Sequence, residues 1–265
     1  MGRRWQQRGS EVSVVAGFPT RRLPGRQDGV LDPAYHGKWL LEENWGGLPT
    51  VRTWVTDRFG GGFVGKTING LSFAASAYWG ARRTTRPSVV IASSPPFFPH
   101  ITGVAVARRF GVPLVLEIRD LWPDYLVQMG TLRSRLLQRA LFALERSLLA
   151  RANHVVVVTE SFKARVVAKG VSPEKISVIP NGVDLERYTP GPAQRGAFPE
   201  LGLDAQDVLV GYLGTFGRGQ ALAQVVHAAA RLSKSYPHVK FALVGDGPDR
   251  PAVDAAIREA GCANV

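Results

Sequence analysis

Six short polar stretches of this sequence carry residue types that bind or transfer groups, and each follows an apolar run. The most informative is GTFGRGQ, Gly214 to Gln220. Gly214 and Gly217 let backbone amides come close to a ligand, Thr215 adds a hydroxyl, Arg218 adds counter-charge, and Gln220 opens a helical pattern. Those are the parts of a diphosphate-binding loop. A glycine-rich turn needed only for packing has the same composition, so both readings stand. GDGPD, with Gly245 and Gly247, carries the same two readings. In RDLWPD, Asp120 suits the orienting of a substrate hydroxyl or the removal of its proton, and Arg119 suits the holding of a phosphate. The alternative is an Arg–Asp pair that only locks the loop. Ser94 and Pro95 in SSPPFFPH, Thr159 and Glu160 in TES, and Asn181 in PNG complete the candidate substrate contacts. No metal centre is expected, because histidines 36, 100, 154, 227 and 238 lack ligand spacing. The single Cys262 excludes an internal disulfide. Neither a Walker loop nor a Gly-x-Ser-x-Gly elbow occurs.

Loops of this kind need strands to deliver them and helices to receive them. EVSVVAG (11–17) and the alternating TVRTWVTD (50–57) read as strands, with a long Pro- and Gly-rich loop over 18–39 between them. SVVIASS (88–94), LVLEIRD (114–120), NHVVVVTE (153–160) and KISVIP (175–180) follow as strands, the third buried on both faces. Helices are expected after the first of these, ending near Gly111, and over 131–151, with one apolar and one Arg-rich face. Another should start at a Ser161 cap and stop at Gly170. Strands alternating with helices predict an α/β fold with a parallel sheet wound on both faces. After a Pro- and Gly-rich linker (186–206) the alternation restarts: strands over 208–214 and 239–247, helices over 220–236 and 251–260. The division expected is therefore a domain over 1–185, the linker, and a second, partial domain over 207–265. In such sheets ligands bind beyond the carboxyl ends of the strands, where all six stretches fall.

Composition bounds the partners. Across 265 residues, 45% are hydrophobic and 20% charged, which suits a folded domain with a real core. The net charge is +12 and mostly arginine, yet no helix-turn-helix, zinc or aromatic RNA-reading pattern accompanies it, so no nucleic acid is expected. A surface facing anionic lipid head groups fits better, and an Arg-rich solvated surface stands beside it. The start, MGRRWQQRGSEVSVVAG, lacks the apolar core of a secretory signal. The segment 63–83 is too polar to span a bilayer. It suits either a membrane interface, anchored by aromatics and Arg82–Arg83, or a helix packed on the sheet.

In their order and spacing, AGFP (16–19), VVIASSPPFF, PLVLEIRDLWPD, HVVVVTESFKARVVAKGVSPEKISVIPNGVD, GYLGTFGRGQAL and FALVGDGP resemble glycosyltransferase family 4. Within it they are similar to the WbuB-type enzymes of capsule, O-antigen and colanic acid synthesis. The resemblance implies a GT-B fold of two Rossmann-like domains. It implies transfer, with retention of configuration and without a metal or other cofactor, from a UDP-linked nucleotide sugar to a lipid-linked or growing glycan. The place of action would be the cytoplasmic side, peripheral to the inner face of the plasma membrane. Many relatives place an Arg and a Lys around the diphosphate loop; here Thr215 and Gln220 stand there, as in the WbuB-type subset, and Arg218 would supply the charge. Arg119 stands where many relatives keep a histidine. Relatives begin with a central strand and a Gly-Gly loop before the helix whose tail GRRWQQRGS resembles, and they continue past Val265 into a spaced pair of Glu residues that hold the donor. This chain is thus expected to be truncated at both ends, with unpaired neighbours in its first sheet, weak donor binding and little transfer. A sugar-nucleotide epimerase of the same fold and a non-catalytic membrane-associated module are the alternatives.

Overall fold

The computed structural model describes residues 1–21, 30–56, 63–95, 97–191, 199, 202–204, 206–261 and 263–265. Most of the expected linker, the middle of the long loop, Asp57 and Cys262 lie outside the described residues. The chain forms two compact units, Met1–Gly182 and Val183–Val265.

In the first unit, a helical turn and a half, α1 (Gly2–Gln7), precedes β1 (Val14–Gly17). The two-residue strands β2 (Thr20–Arg21) and β3 (Val30–Leu31) pair antiparallel within the long loop. Beyond that loop lies a strand not expected from the sequence, β4 (Leu40–Trp45), which forms a hairpin with β5 (Leu48–Thr53). The positive φ of Gly46 and Gly47 makes the tight turn. β5 also pairs parallel with β1, Val14 opposite Thr50 through Gly17 opposite Thr53.

The second sheet is β6 (Val90–Ser94), β7 (Leu114–Ile118), β8 (His154–Val157) and β9 (Ile176–Val178), all parallel and in chain order. Strands that step in one direction with right-handed crossovers keep their helices on one face. Those helices are α3 (Pro99–Phe110), α5 (Arg135–Arg151) and α6 (Glu160–Ala168); α4 (Asp124–Gln128) is a short turn before α5. Leu114, Leu116, Val155 and Val157 face them and are buried, while Val115, His154 and Val156 on the other face are half-buried. Among the described residues, therefore, the helices packed on this sheet lie on one face, and β8 is buried on one side and half-buried on the other, rather than wound on both faces and buried on both sides. Each fully buried aliphatic side chain contributes about 1.5–3 kcal/mol. Among the described residues β1 pairs only with β5 and β6 only with β7, so each is a sheet edge. The helix α2 (Phe63–Ala81) spans both sheets' layers, with Gly80 against Val51 and Thr53 and Gly70 against the Phe98 ring.

Two helix starts differ from expectation. α5 begins at Arg135, not at 131, because Ser134 caps it by accepting from the Leu137 amide, while Leu132 is buried at the end of the preceding turn. α6 is capped by Thr159 rather than Ser161: its hydroxyl accepts from the Phe162 amide at 3.2 Å.

In the second unit, β10 (Val208–Leu213) and β11 (Val239–Val244) pair parallel, with α7 (Leu222–Leu232) and α8 (Arg250–Ala260) packed through Phe216, Leu222, Val226, Val253 and Ala256. α7 is shorter at both ends than the 220–236 expected.

Candidate functional site

All the candidate residues lie at or just past the carboxyl ends of strands, but in two groups on separate units.

In the first unit, Ser94 ends β6; it is 3% exposed and its Oγ donates to the Glu117 carbonyl at 3.4 Å. Pro95 follows through a cis peptide bond. Arg119 and Asp120 follow β7, both exposed. Among the described residues they form no ion pair with each other, which sets aside the reading of a locking pair. The backbone does the locking, with the Trp122 amide bonded to the Asp120 carbonyl and Trp122 stacked on Phe97 at 5.3 Å. Thr159 and Glu160 open α6, where Thr159 is committed to its cap. Asn181 lies exposed beyond β9.

Ser94 and Asp120 line a cavity of about 10 Å³ with His100, Trp122 and Glu145. That is room for about one water molecule. His100 is 4% exposed with Nε2 3.3 Å from the Glu117 carbonyl, and burial pulls its pKa down to about 4. It is therefore neutral at physiological pH. Sequence spacing gave no hint of it, since burial, not neighbours in sequence, sets its state.

Glu145 also belongs to a charged cluster absent from the sequence reading. Lys169 Nζ donates to both Glu145 oxygens at 2.7 and 2.8 Å and to Asp124, which lies 3.7 Å from Arg165. This ties α4, α5 and the end of α6 together directly behind the Asp120 loop. Burial pushes the Glu145 carboxyl up, against the pull of Lys169. The only signal for it in the sequence is a Glu on an otherwise apolar face of α5.

In the second unit, the loop after β10 is clasped by the loop after β11. The Phe216 amide donates to the Asp246 carbonyl, the Asp249 amide to the Phe216 carbonyl, both at 2.9 Å, and the Phe216 ring is 1% exposed. Glycine is required at both contacts: a Cβ on Gly245 would stand 1.8 Å from the Gly214 oxygen, and one on Gly247 2.4 Å from the Phe216 oxygen. Tyr212 donates to the Thr215 carbonyl at 2.8 Å, and the Gly217 amide returns to the same carbonyl. Arg218 and Gln220 then sit in a single 3-10 turn leading to α7, both exposed, and Arg218 has no ion pair among the described residues. Thus the closely packed glycines Gly214, Gly245 and Gly247 hold the frame, and Thr215, Gly217, Arg218 and Gln220 form its outer rim. Among the described residues no three His, Cys, Asp or Glu side chains converge as metal ligands.

Parallel α/β units carrying glycine loops and polar groups at strand ends define a Rossmann-like class of fold, and comparison with known proteins makes this specific. Residues 1–182 match the glycosyl transferase 4-like domain model, and the chain belongs to that family. It is 29% identical over 168 residues to 2-deoxystreptamine glucosyltransferase of Streptomyces kanamyceticus, covering 61% of this chain and 42% of that one. It is 27% identical over 201 residues to the putative colanic acid biosynthesis glycosyl transferase WcaI of Escherichia coli K12, covering 73% and 49%. The chain thus spans about half the length of these curated relatives. Among solved structures, Anabaena Alr3699/HepE in complex with UDP-glucose superposes with a TM-score of 0.61 at 16% identity, covering 95% of this chain and 67% of that one. The catalytic domain of Starch Synthase IV from Arabidopsis thaliana, bound to ADP and acarbose, gives 0.62 at 14% identity, covering 97% and 65%. The fold is that of GT-B glycosyltransferases.

Proposed function

We infer that the first unit of the chain is the acceptor side, and the second unit belongs to the donor side, of a WbuB-type glycosyltransferase. The reaction is transfer of a sugar from a UDP-linked donor, with retention and without a metal or other cofactor, to a lipid-linked or growing glycan for cell-surface polysaccharide. It takes place on the cytoplasmic side, at the inner face of the plasma membrane. The observation that carries this reading is the clasped loop pair of the second unit, with Arg218 exposed on its rim and without an ion pair among the described residues. Family membership and the relatives' printed activities support it.

On this reading the rim of the loop and the start of α7 receive the diphosphate, Arg218 offsets its charge, and the leaving group is stabilised as the sugar–oxygen bond breaks. Gly214, Gly245 and Gly247 keep the loop in shape, and Thr215 and Gln220 add hydrogen bonds. In the first unit Asp120 orients the attacking hydroxyl and Arg119 holds an acceptor phosphate, with Ser94, Pro95, Thr159, Glu160 and Asn181 lining the path.

The test is titration of UDP into the 265-residue chain by calorimetry, beside Arg218→Ala. Loss of one charge-assisted contact of about 1.5–3 kcal/mol should weaken binding ten- to a hundredfold. Equal affinity for UDP in both proteins, or no UDP binding to the parent, would overturn the assignment.

A further inference from the structure

The face of α2 turned away from the sheets is apolar and open to solvent. Val64, Leu71 and Trp79 are 67%, 48% and 53% exposed, and Ala75 between them is also exposed. At 100° per residue the four fall within about 80° around the helix and run about 22 Å along it. At the far end of the stripe the Arg82 guanidinium lies over the Trp79 ring, 4.8 Å from its centroid. The segment is also segregated in charge: between Asp57 and Glu117 the sequence has seven basic residues and no acidic one.

Helix contacts bring five of those basic residues to one end. Gly70 packs on Phe98, and Thr102 Oγ1 donates to the Ala74 carbonyl at 2.7 Å, so α2 and α3 run in the same direction. The carboxyl end of α2, with Arg82 and Arg83, therefore neighbours Arg108 and Arg109 at the end of α3. Arg86 joins them by donating to the Phe110 carbonyl at 3.0 Å. All five are exposed.

We propose that this face of α2 lies in the interface of an anionic bilayer, with Val64, Leu71, Ala75 and Trp79 among the acyl chains and Arg82, Arg83, Arg86, Arg108 and Arg109 on the head groups. A convex stripe one helix wide suits partial insertion into lipid better than a protein interface, which typically buries about 800 Å² on each partner. An aromatic ring beside arginines that reach outward is the usual composition of a membrane-interface anchor. Among the described residues no helix is long and apolar enough to cross a membrane, so the face would rest on the bilayer rather than span it. α2 starts at the carboxyl end of β5 and runs back along it. A bilayer along the stripe therefore passes the end of the sheet where Ser94 and Asp120 sit. The inference deepens the reading of a lipid-linked acceptor, but stands on α2 alone.

The test is flotation of the 265-residue chain with vesicles of phosphatidylglycerol and phosphatidylethanolamine, or of phosphatidylcholine alone. Leu71→Glu/Trp79→Glu and Arg82→Ser/Arg83→Ser are compared with the parent, and circular dichroism verifies folding. The parent should float with the anionic vesicles only, and less in high salt. The Glu pair should abolish flotation, and the Ser pair should weaken it about fivefold for each arginine removed. UDP binding should be the same in all three proteins, which separates this result from the fate of the transfer reading. Flotation unchanged by the Glu pair would overturn the proposal. So would a concentration-dependent dimer that the Glu pair dissolves, because the stripe would then be a contact between copies of the chain.

Discussion

Replacing Lys169 with methionine keeps the length of the side chain and removes an ammonium group held by two carboxylates. The side chains of Lys169, Glu145 and Asp124 are 12%, 6% and 15% exposed, so the cluster is largely withdrawn from water. Taking one partner from a buried ion pair costs about 3–5 kcal/mol, because the charge left behind has lost its compensation. Asp124 retains Arg165 at 3.7 Å, whereas Glu145 has no second ion pair among the described residues, so the penalty concentrates on Glu145. In a unit of this size about 1 kcal/mol moves the melting temperature by roughly 2–4 °C, so a fall of about 6–20 °C is expected at neutral pH. The pH dependence identifies the cause. Burial already raises the Glu145 pKa from 4.5, and loss of Lys169 raises it further. A carboxyl with a raised pKa binds its proton more tightly folded than unfolded. Its cost is therefore full above the folded pKa and disappears as pH falls through it. Melting curves of Lys169→Met and parent should thus lie furthest apart near pH 7 and converge toward acid pH. Adding Glu145→Gln should recover most of the loss at pH 7. A gap of less than about 2 °C at pH 7, or one that does not narrow at all toward acid pH, would refute this account of the cluster.

His100 offers a second titration, of opposite sense. Its pKa is depressed from 6.5 to about 4, so the stability it confers is complete above pH 6.5 and is lost as pH falls toward 4. The span is about 3 kcal/mol, and chemical denaturation of His100→Phe across that window should show a flatter slope than the parent. Gly247→Ala would place a methyl group against the Phe216 carbonyl, and backbone on the facing loop yields little. Overpacking of this kind costs about 1–3 kcal/mol, readable as faster hydrogen exchange in β10 and β11 and about tenfold weaker UDP binding.

Where apolar runs were bounded by turn residues, the sequence already showed the architecture: β6 through β9, β10 and β11 lie within the runs read as strands. β4 escaped because LLEENW mixes acidic and apolar residues without strict alternation, and its pairing with the strand already read at 50–57 depends on the turn made by Gly46–Gly47. The start of α5 was misread because Leu132 fits the apolar period of the helix while being buried from the preceding turn. The loop glycines were legible as points of close backbone approach, and at Gly245 and Gly247 that approach is to the facing loop. The Lys169–Glu145–Asp124 cluster was not, since its members lie on three elements and meet only through packing. Whether Arg119 and Asp120 neutralise each other was equally beyond the sequence; adjacent opposite charges after a strand point where the loop sends them.

The clasped loops of the second unit also bear on the thermodynamics of association. With Phe216 buried and its backbone bonded on both sides to 246 and 249, the loop's torsions are fixed before a ligand arrives. A diphosphate meeting such a frame sacrifices little chain entropy on the protein's side. It also covers little apolar surface, because the rim residues are polar. Binding should accordingly be driven by enthalpy from charge-assisted contacts, with a heat-capacity change close to zero.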